Sequence, residues 1–130
     1  MKLDPFTAAY IVCALWASCD NSTPSGGDPL DQNFTITDIA PEALERIKAD
    51  CGHFQQAHAD LLAQAYSLYS VTDGSSPETY AGHDFWLTRN SHGAGFWDRD
   101  LGEVGEQLTV AAHNMGGSDI YPGDDGSLYV

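Results

Sequence analysis

The chain has 130 residues, 42% of them apolar, which suits one domain, residues 1–130, around one core. It sets 19 Asp and Glu against 5 Lys and Arg, a formal net charge of −14 at pH 7. That balance argues against direct nucleic-acid binding and against an anionic membrane, since both need a basic footprint. It favours a partner with a basic surface, although the same charge also serves solubility alone.

Taken in chain order, Pro5 to Ser18 reads as a first helix. Asp4 stands at its cap and Pro5 at the first helical position, where a missing N–H costs nothing. Phe6, Tyr10, Cys13 and Ala17 fall on one face. Leu15-Trp16-Ala17-Ser18-Cys19 loosely resembles a lipoprotein cleavage site, but the only cation before it is Lys2, and Asp4 and Pro5 spoil an export signal. No apolar run approaches the roughly 20 residues of a membrane span. Cys13, Cys19 and Cys51 show no CxxC spacing, so reduced thiols in a cytoplasmic protein are expected rather than a disulfide framework or a zinc site. Asn21 to Asn33 carries two Pro and two Gly and reads as an exposed loop. Phe34-Thr35-Ile36 reads as a short extended piece.

A long second helix is expected from Pro41 to about Tyr69. Glu42 and Glu45 load its first turn, which the helix dipole favours. Leu44, Ile47, Cys51, Phe54, His58, Leu61, Ala65 and Leu68 then recur at three- and four-residue steps, one apolar stripe. At ~1.5 Å per residue this element would be roughly 40 Å long. Gly52 inside it suggests close packing. His58 on the stripe reads as a core histidine and His53 as solvent-facing.

Thr72 to Glu78 reads as a turn. His83 to Asp98 (HDFWLTRNSHGAGFWD) then reads as an aromatic β-hairpin, with strands that alternate across the pleat and a loop from Asn90 to Gly95. In that register Trp86, Thr88 and Trp97 share one face, and Phe85, Leu87 and Phe96 the other. Arg89 and Asp98 would form an ion pair. Asp100 with Glu103 forms a capping-box pattern for a third helix with the stripe Leu101, Val104, Leu108, Ala111 and Met115. Gly116-Gly117 ends it, and His113 lies near its dipole. Asp119 to Tyr121 and Ser127 to Val130 read as strands around a Pro122–Gly126 turn. The order α-α-β-β-α-β-β places the chain in the α+β class, three helices packed on a small antiparallel sheet.

Two constellations could carry function. His83, Arg89, His92 and Asp98 would serve acid–base chemistry of a small hydrolase-type enzyme if they converged in a cleft. The second is the acidic C-terminal third, where Asp98, Asp100, Glu103, Glu106, Asp119, Asp124 and Asp125 face a single Arg. Rows of carboxylates imitate the charge line of a duplex before a basic groove, and His92 stands in the exposed loop beside them. Asp119 to Gly126 lacks the alternating order and closing Glu of a helix-loop-helix calcium site. HExxH, phosphate-loop, dinucleotide and Gly-x-Ser-x-Gly patterns do not occur, so neither metal nor cofactor is expected.

The run Ala81 to Asn90 (AGHDFWLTRN), followed by His92 to Asp98 (HGAGFWD), resembles a signature of small tailed-phage and prophage proteins. Ala14-Leu15-Trp16 and the closing segment from Tyr121 to Tyr129 (YPGDDGSLY) resemble the same group. That group carries Thr or Ser where this chain has Cys19, which counts further against a lipoprotein. The resemblance implies an origin in an infected bacterium, and so a cytoplasmic protein, rather than a reaction. Small acidic phage proteins include inhibitors of CRISPR and restriction complexes, some of them DNA mimics. The function expected is therefore non-enzymatic: binding a host defence complex through the acidic surface. A phage assembly module is a further alternative.

Overall fold

The computed structural model describes residues 3–20 and 27–130. These form five α-helices: α1 (Pro5–Ala17), α2 (Pro41–Ala57), α3 (Ala59–Leu68), α4 (Pro77–Arg89) and α5 (Glu103–Asn114). Four two-residue strands make two antiparallel ribbons. β1 (Cys19–Asp20) pairs with β2 (Asp28–Pro29), and β3 (Tyr121–Pro122) with β4 (Leu128–Tyr129). The expected α+β arrangement of three helices on one sheet is thus overturned. The helices pack on one another, and no sheet underlies them among the described residues.

The decisive difference lies at the aromatic segment. Its first half is not a strand but the C-terminal part of α4, and Phe96–Asp98 is a single 3-10 turn. The start signal is local. The Ser76 hydroxyl accepts from the Thr79 amide, Pro77 occupies the first helical position and Glu78 the first turn, a combination that favours helix initiation. The second cause is burial. Every residue from Ala81 to Arg89 except His83 is buried, and a segment covered on all sides loses the periodicity that separates helix from strand.

α1 packs more extensively on α4 than on any other element. Gly82 permits this: a Cβ there would collide with the Phe6 carbonyl oxygen. Around the crossing, Phe54 stacks on Phe85 with ring centroids 4.2 Å apart and on Phe96 at 6.0 Å, while Phe6 lies 6.2 Å from Phe54. Phe85 and Phe96, assigned by the hairpin register to a face apart from Trp86, share this cluster. Trp97 is exposed, whereas Trp86 and Thr88 are buried.

The long second helix is two helices. His58 leaves the helical conformation at φ −121°, ψ 31° and separates α2 from α3, its ring 4.9 Å from that of Phe54. The break shifts the buried face by one residue. Ile47, Cys51 and Phe54 are buried before it, and Leu62, Ala65 and Tyr69 after it; Leu68 is exposed. Gly52 meets open space rather than a packed neighbour. His53 is exposed, as its helical position predicts.

The remaining expectations divide. The start of α1 agrees, with Asp4 as its N-cap residue and Pro5 in the first turn, although the Asp4 carboxylate makes no capping bond and accepts from Gln55 Nε2 at 2.9 Å. The 21–33 loop falls partly outside the described residues. Its remainder forms β2 and a 3-10 turn at Leu30–Gln32, with Leu30 fully buried. A second 3-10 turn, Ile36–Asp38, replaces the extended piece. The Asp100–Glu103 capping box does not form: Gly102 is the N-cap and Asp100 has φ 60°. Leu101, Leu108 and Ala111 are buried as the stripe requires, and Gly116 follows α5 at φ 77°. The terminal ribbon forms but is shorter than expected: Tyr121 pairs with Tyr129 and Pro122, placed by the sequence in the turn, with Leu128. No helix among the described residues is long and apolar enough to cross a membrane.

Candidate functional site

α4 carries three titratable side chains within its last two turns. Asp84 has no exposed surface, His83 beside it is half-buried, and Arg89 at the end of the helix is 6% exposed. A buried charge is costly unless it is paired and hydrogen-bonded, and both are. Arg89 donates from Nη1 to Asp50 at 2.9 Å and to the Tyr10 hydroxyl at 3.2 Å, and from Nε to the Gly116 carbonyl at 2.8 Å. Its guanidinium carbon lies 5.2 Å from the centre of the Phe85 ring. Arg89 therefore ties α1, α2 and the end of α5 to α4. It pairs with Asp50, not with Asp98.

Asp84 is held from two sides. The Tyr69 hydroxyl donates to Oδ2 at 2.7 Å; Arg99 donates from Nε to Oδ1 at 2.9 Å and to Oδ2 at 3.2 Å, and its Nη2 lies 2.9 Å from Oδ1 as an ion pair. Burial pushes the Asp84 carboxyl above the usual carboxylate range, and the Tyr69 and Arg99 donors work against that shift. Burial, then the carboxylate of Asp84, raises the Tyr69 phenol in turn, so it stays a hydrogen-bond donor at every physiological pH.

Arg99 emerges between two cavities. The larger, ≈ 670 Å³, has Val12 and Trp16 of α1, His83 and Leu87 of α4, and His92 to Ala94 in its walls, with Asp31 also lining it. The smaller, ≈ 220 Å³, is lined by Asp73, Tyr80, His83 and Arg99. Burial, then the nearby Arg99 charge, lowers the His83 pKa, and Asp73 opposes them. The His92 ring lies against Trp86 at 4.8 Å, and its amide donates to the Leu87 carbonyl at 2.9 Å, fixing the loop on α4. Gly95 is required here, because a Cβ would collide with the Thr88 hydroxyl that accepts from the Phe96 amide.

The four-residue acid–base cluster does not assemble as expected. His83 and His92 do line one cleft, but Arg89 is committed to Asp50 and Asp98 lies exposed outside it. Arg99 takes the place given to Arg89. Sequence reading missed Tyr69, Arg99 and Trp16, which lie outside α4; Asp84, beside His83, is visible in the sequence as a carboxylate among apolar residues.

The acidic group fares differently. Asp98, Asp100, Glu103, Glu106, Asp119, Asp124 and Asp125 are all exposed, as is His92. None of the seven carboxylates pairs with a cation among the described residues. Glu103 and Glu106 lie one turn apart on α5, which carries both on its exposed surface. Asp124 and Asp125 occupy the turn between β3 and β4, where Asp125 accepts from the Ser127 amide and the Tyr129 hydroxyl. These two bonds hold its carboxyl below the usual range. Among the described residues no group of three or more His, Cys, Asp or Glu is placed to hold a metal ion. No family model, curated protein or solved structure matches the chain.

Proposed function

We propose that this protein acts by binding rather than catalysis, and that its exposed carboxylates engage a basic surface of a protein partner. The observation that carries the reading is where the cations go. Of the five Lys and Arg, Arg89 and Arg99 turn inward to Asp50 and Asp84. Arg99 is also the only Lys or Arg after Arg89. The outer surface of the last third is therefore more purely anionic than the composition alone requires. Such a surface steers a basic groove by long-range attraction and opposes nucleic acid itself.

The resemblance of the α4 segment to phage proteins directs the search for that groove to nucleic-acid-handling defence complexes of a bacterial host, CRISPR effectors and restriction enzymes. The test is cleavage by a panel of such purified enzymes with the protein in excess. Inhibition that competes with DNA and is lost in the triple variant Asp119→Asn, Asp124→Asn, Asp125→Asn supports the reading. Inhibition unchanged in that variant and insensitive to DNA concentration contradicts it.

A further inference from the structure

The cleft beside Arg99 has features that the acidic surface does not use. We infer that it is a binding site for a small planar molecule of low charge whose edge carries a carbonyl or a single carboxylate. Its volume, ≈ 670 Å³, lies within the roughly 300–1,000 Å³ of small-molecule sites. Its walls pair apolar contact with a few polar groups, the usual composition of such sites.

Three observations define the ligand. Trp16 is 62% exposed and Val12 57% exposed at the mouth, on a helix with no charged residue. An uncovered indole offers a flat contact for a ring. Arg99 is positioned before any ligand arrives, because Asp84 and Tyr69 fix its Nε and Nη2 side from beneath. Its Nη1 makes no hydrogen bond or ion pair among the described residues, so it is available to an acceptor. A planar guanidinium so held recognises a planar oxygen acceptor by direction as well as charge.

Charge sets the limit. Asp84 balances Arg99, Asp31 lines the same cleft, and the chain carries −14. A triphosphate or any other polyanion is repelled, while one carboxylate or a neutral carbonyl is accepted. A second copy of the chain as occupant is opposed by the same net charge on both partners.

The imidazoles provide the test, because two of the five histidines line the cleft. Indole-3-carboxylate is titrated into the intact protein and the histidine side-chain resonances are followed by NMR. The expected result is saturable shifts of His83 and His92, with His58, which lines a separate groove with α5, unchanged. Indole, lacking the acceptor, binds at least about tenfold more weakly, a difference of about 1.4 kcal/mol; adenosine triphosphate gives no saturable shift. Trp16→Ala, at an exposed position, and Arg99→Lys, which keeps a cation on Asp84 but replaces the planar guanidinium by a single ammonium, each weaken binding by at least about tenfold. The unshifted His58 resonance reports an intact fold. Shifts of His58 instead, equal affinity for indole or the triphosphate, binding untouched by both variants, or the absence of any saturable shift overturns the proposal. So does a dimer in light scattering that Trp16→Ala dissolves, which would make a second copy the occupant.

Discussion

Arg99 lays Nε and Nη2 along the carboxylate of Asp84, a side chain with no exposed surface, while Tyr69 closes the other side at 2.7 Å. The arrangement joins the chain after α3, the middle of α4 and the turn before α5. Removing the negative partner leaves a half-buried guanidinium without its anion, and breaking a buried pair from one side costs about 3 kcal/mol or more. Asp84→Asn is expected to lose about that much in urea unfolding, near the lower end because Arg99 retains contact with solvent. A loss below about 0.5 kcal/mol, the scale of an ordinary surface substitution, would show that the pair does not hold the domain together.

Two glycines in helices should respond in opposite directions. Gly82→Ala drives a methyl into the Phe6 carbonyl and separates α1 from α4; overpacking of this kind costs about 1–3 kcal/mol. Gly52→Ala meets open space in mid-helix and should stabilise by up to about 1 kcal/mol. Thermal unfolding of the two variants checks both signs, and destabilisation by Gly52→Ala would contradict the exposed α2 face.

His83 gives the fold a pH dependence with a definite sign. Burial, reinforced by Arg99 and opposed by Asp73, holds its folded pKa below the ordinary imidazole range. The unfolded chain then binds the proton first, so stability rises with pH in that interval. This contribution is fully present above the unfolded pKa and is lost as pH falls through the folded one. Unfolding free energy should decline on acidification below about pH 6.5, and His83→Gln should flatten the first part of the decline. An unchanged slope in the variant would assign it to another group.

Thiol chemistry should separate the three cysteines. Cys13 and Cys51 are buried, and burial pushes both thiols up to about 12. Cys19 is exposed. Since the thiolate is the nucleophile, a maleimide should label Cys19 alone in the native protein and all three in denaturant. Rapid native labelling of Cys13 would contradict the packing of α1 on α4.

Local signals were legible where one face of an element meets water. The Asp4-Pro5 start of α1, the Leu101–Leu108–Ala111 stripe and the Gly116 stop were all readable for that reason. The terminal ribbon was legible from its turn, Gly123 to Gly126. The signal failed at α4, where Phe85, Trp86, Leu87 and Thr88 are all buried and β-favouring residues sit inside a helix. Tertiary packing overrode their propensity. The Ser76-Pro77-Glu78 start was present but was absorbed into a turn. The break at His58 left the apolar spacing nearly intact, so periodicity alone could not show it. At the site, His83 and His92 line one cleft, as the sequence suggests. The arginine beside them is Arg99, because α4, a helix rather than a strand, carries Arg89 to Asp50.

The direct test of the proposed binding is the salt dependence of capture by any nuclease that the protein inhibits in that panel, measured for the native protein and the Asp119, Asp124 and Asp125 triple variant. If exposed carboxylates make the contact, binding of the native protein falls steeply with salt and is nearly abolished near about 1 M, where the screening length is about 3 Å. The triple variant then binds weakly at low salt, with a shallower slope. Binding that persists unchanged at about 1 M salt, with the triple variant equal to the native protein, would contradict it.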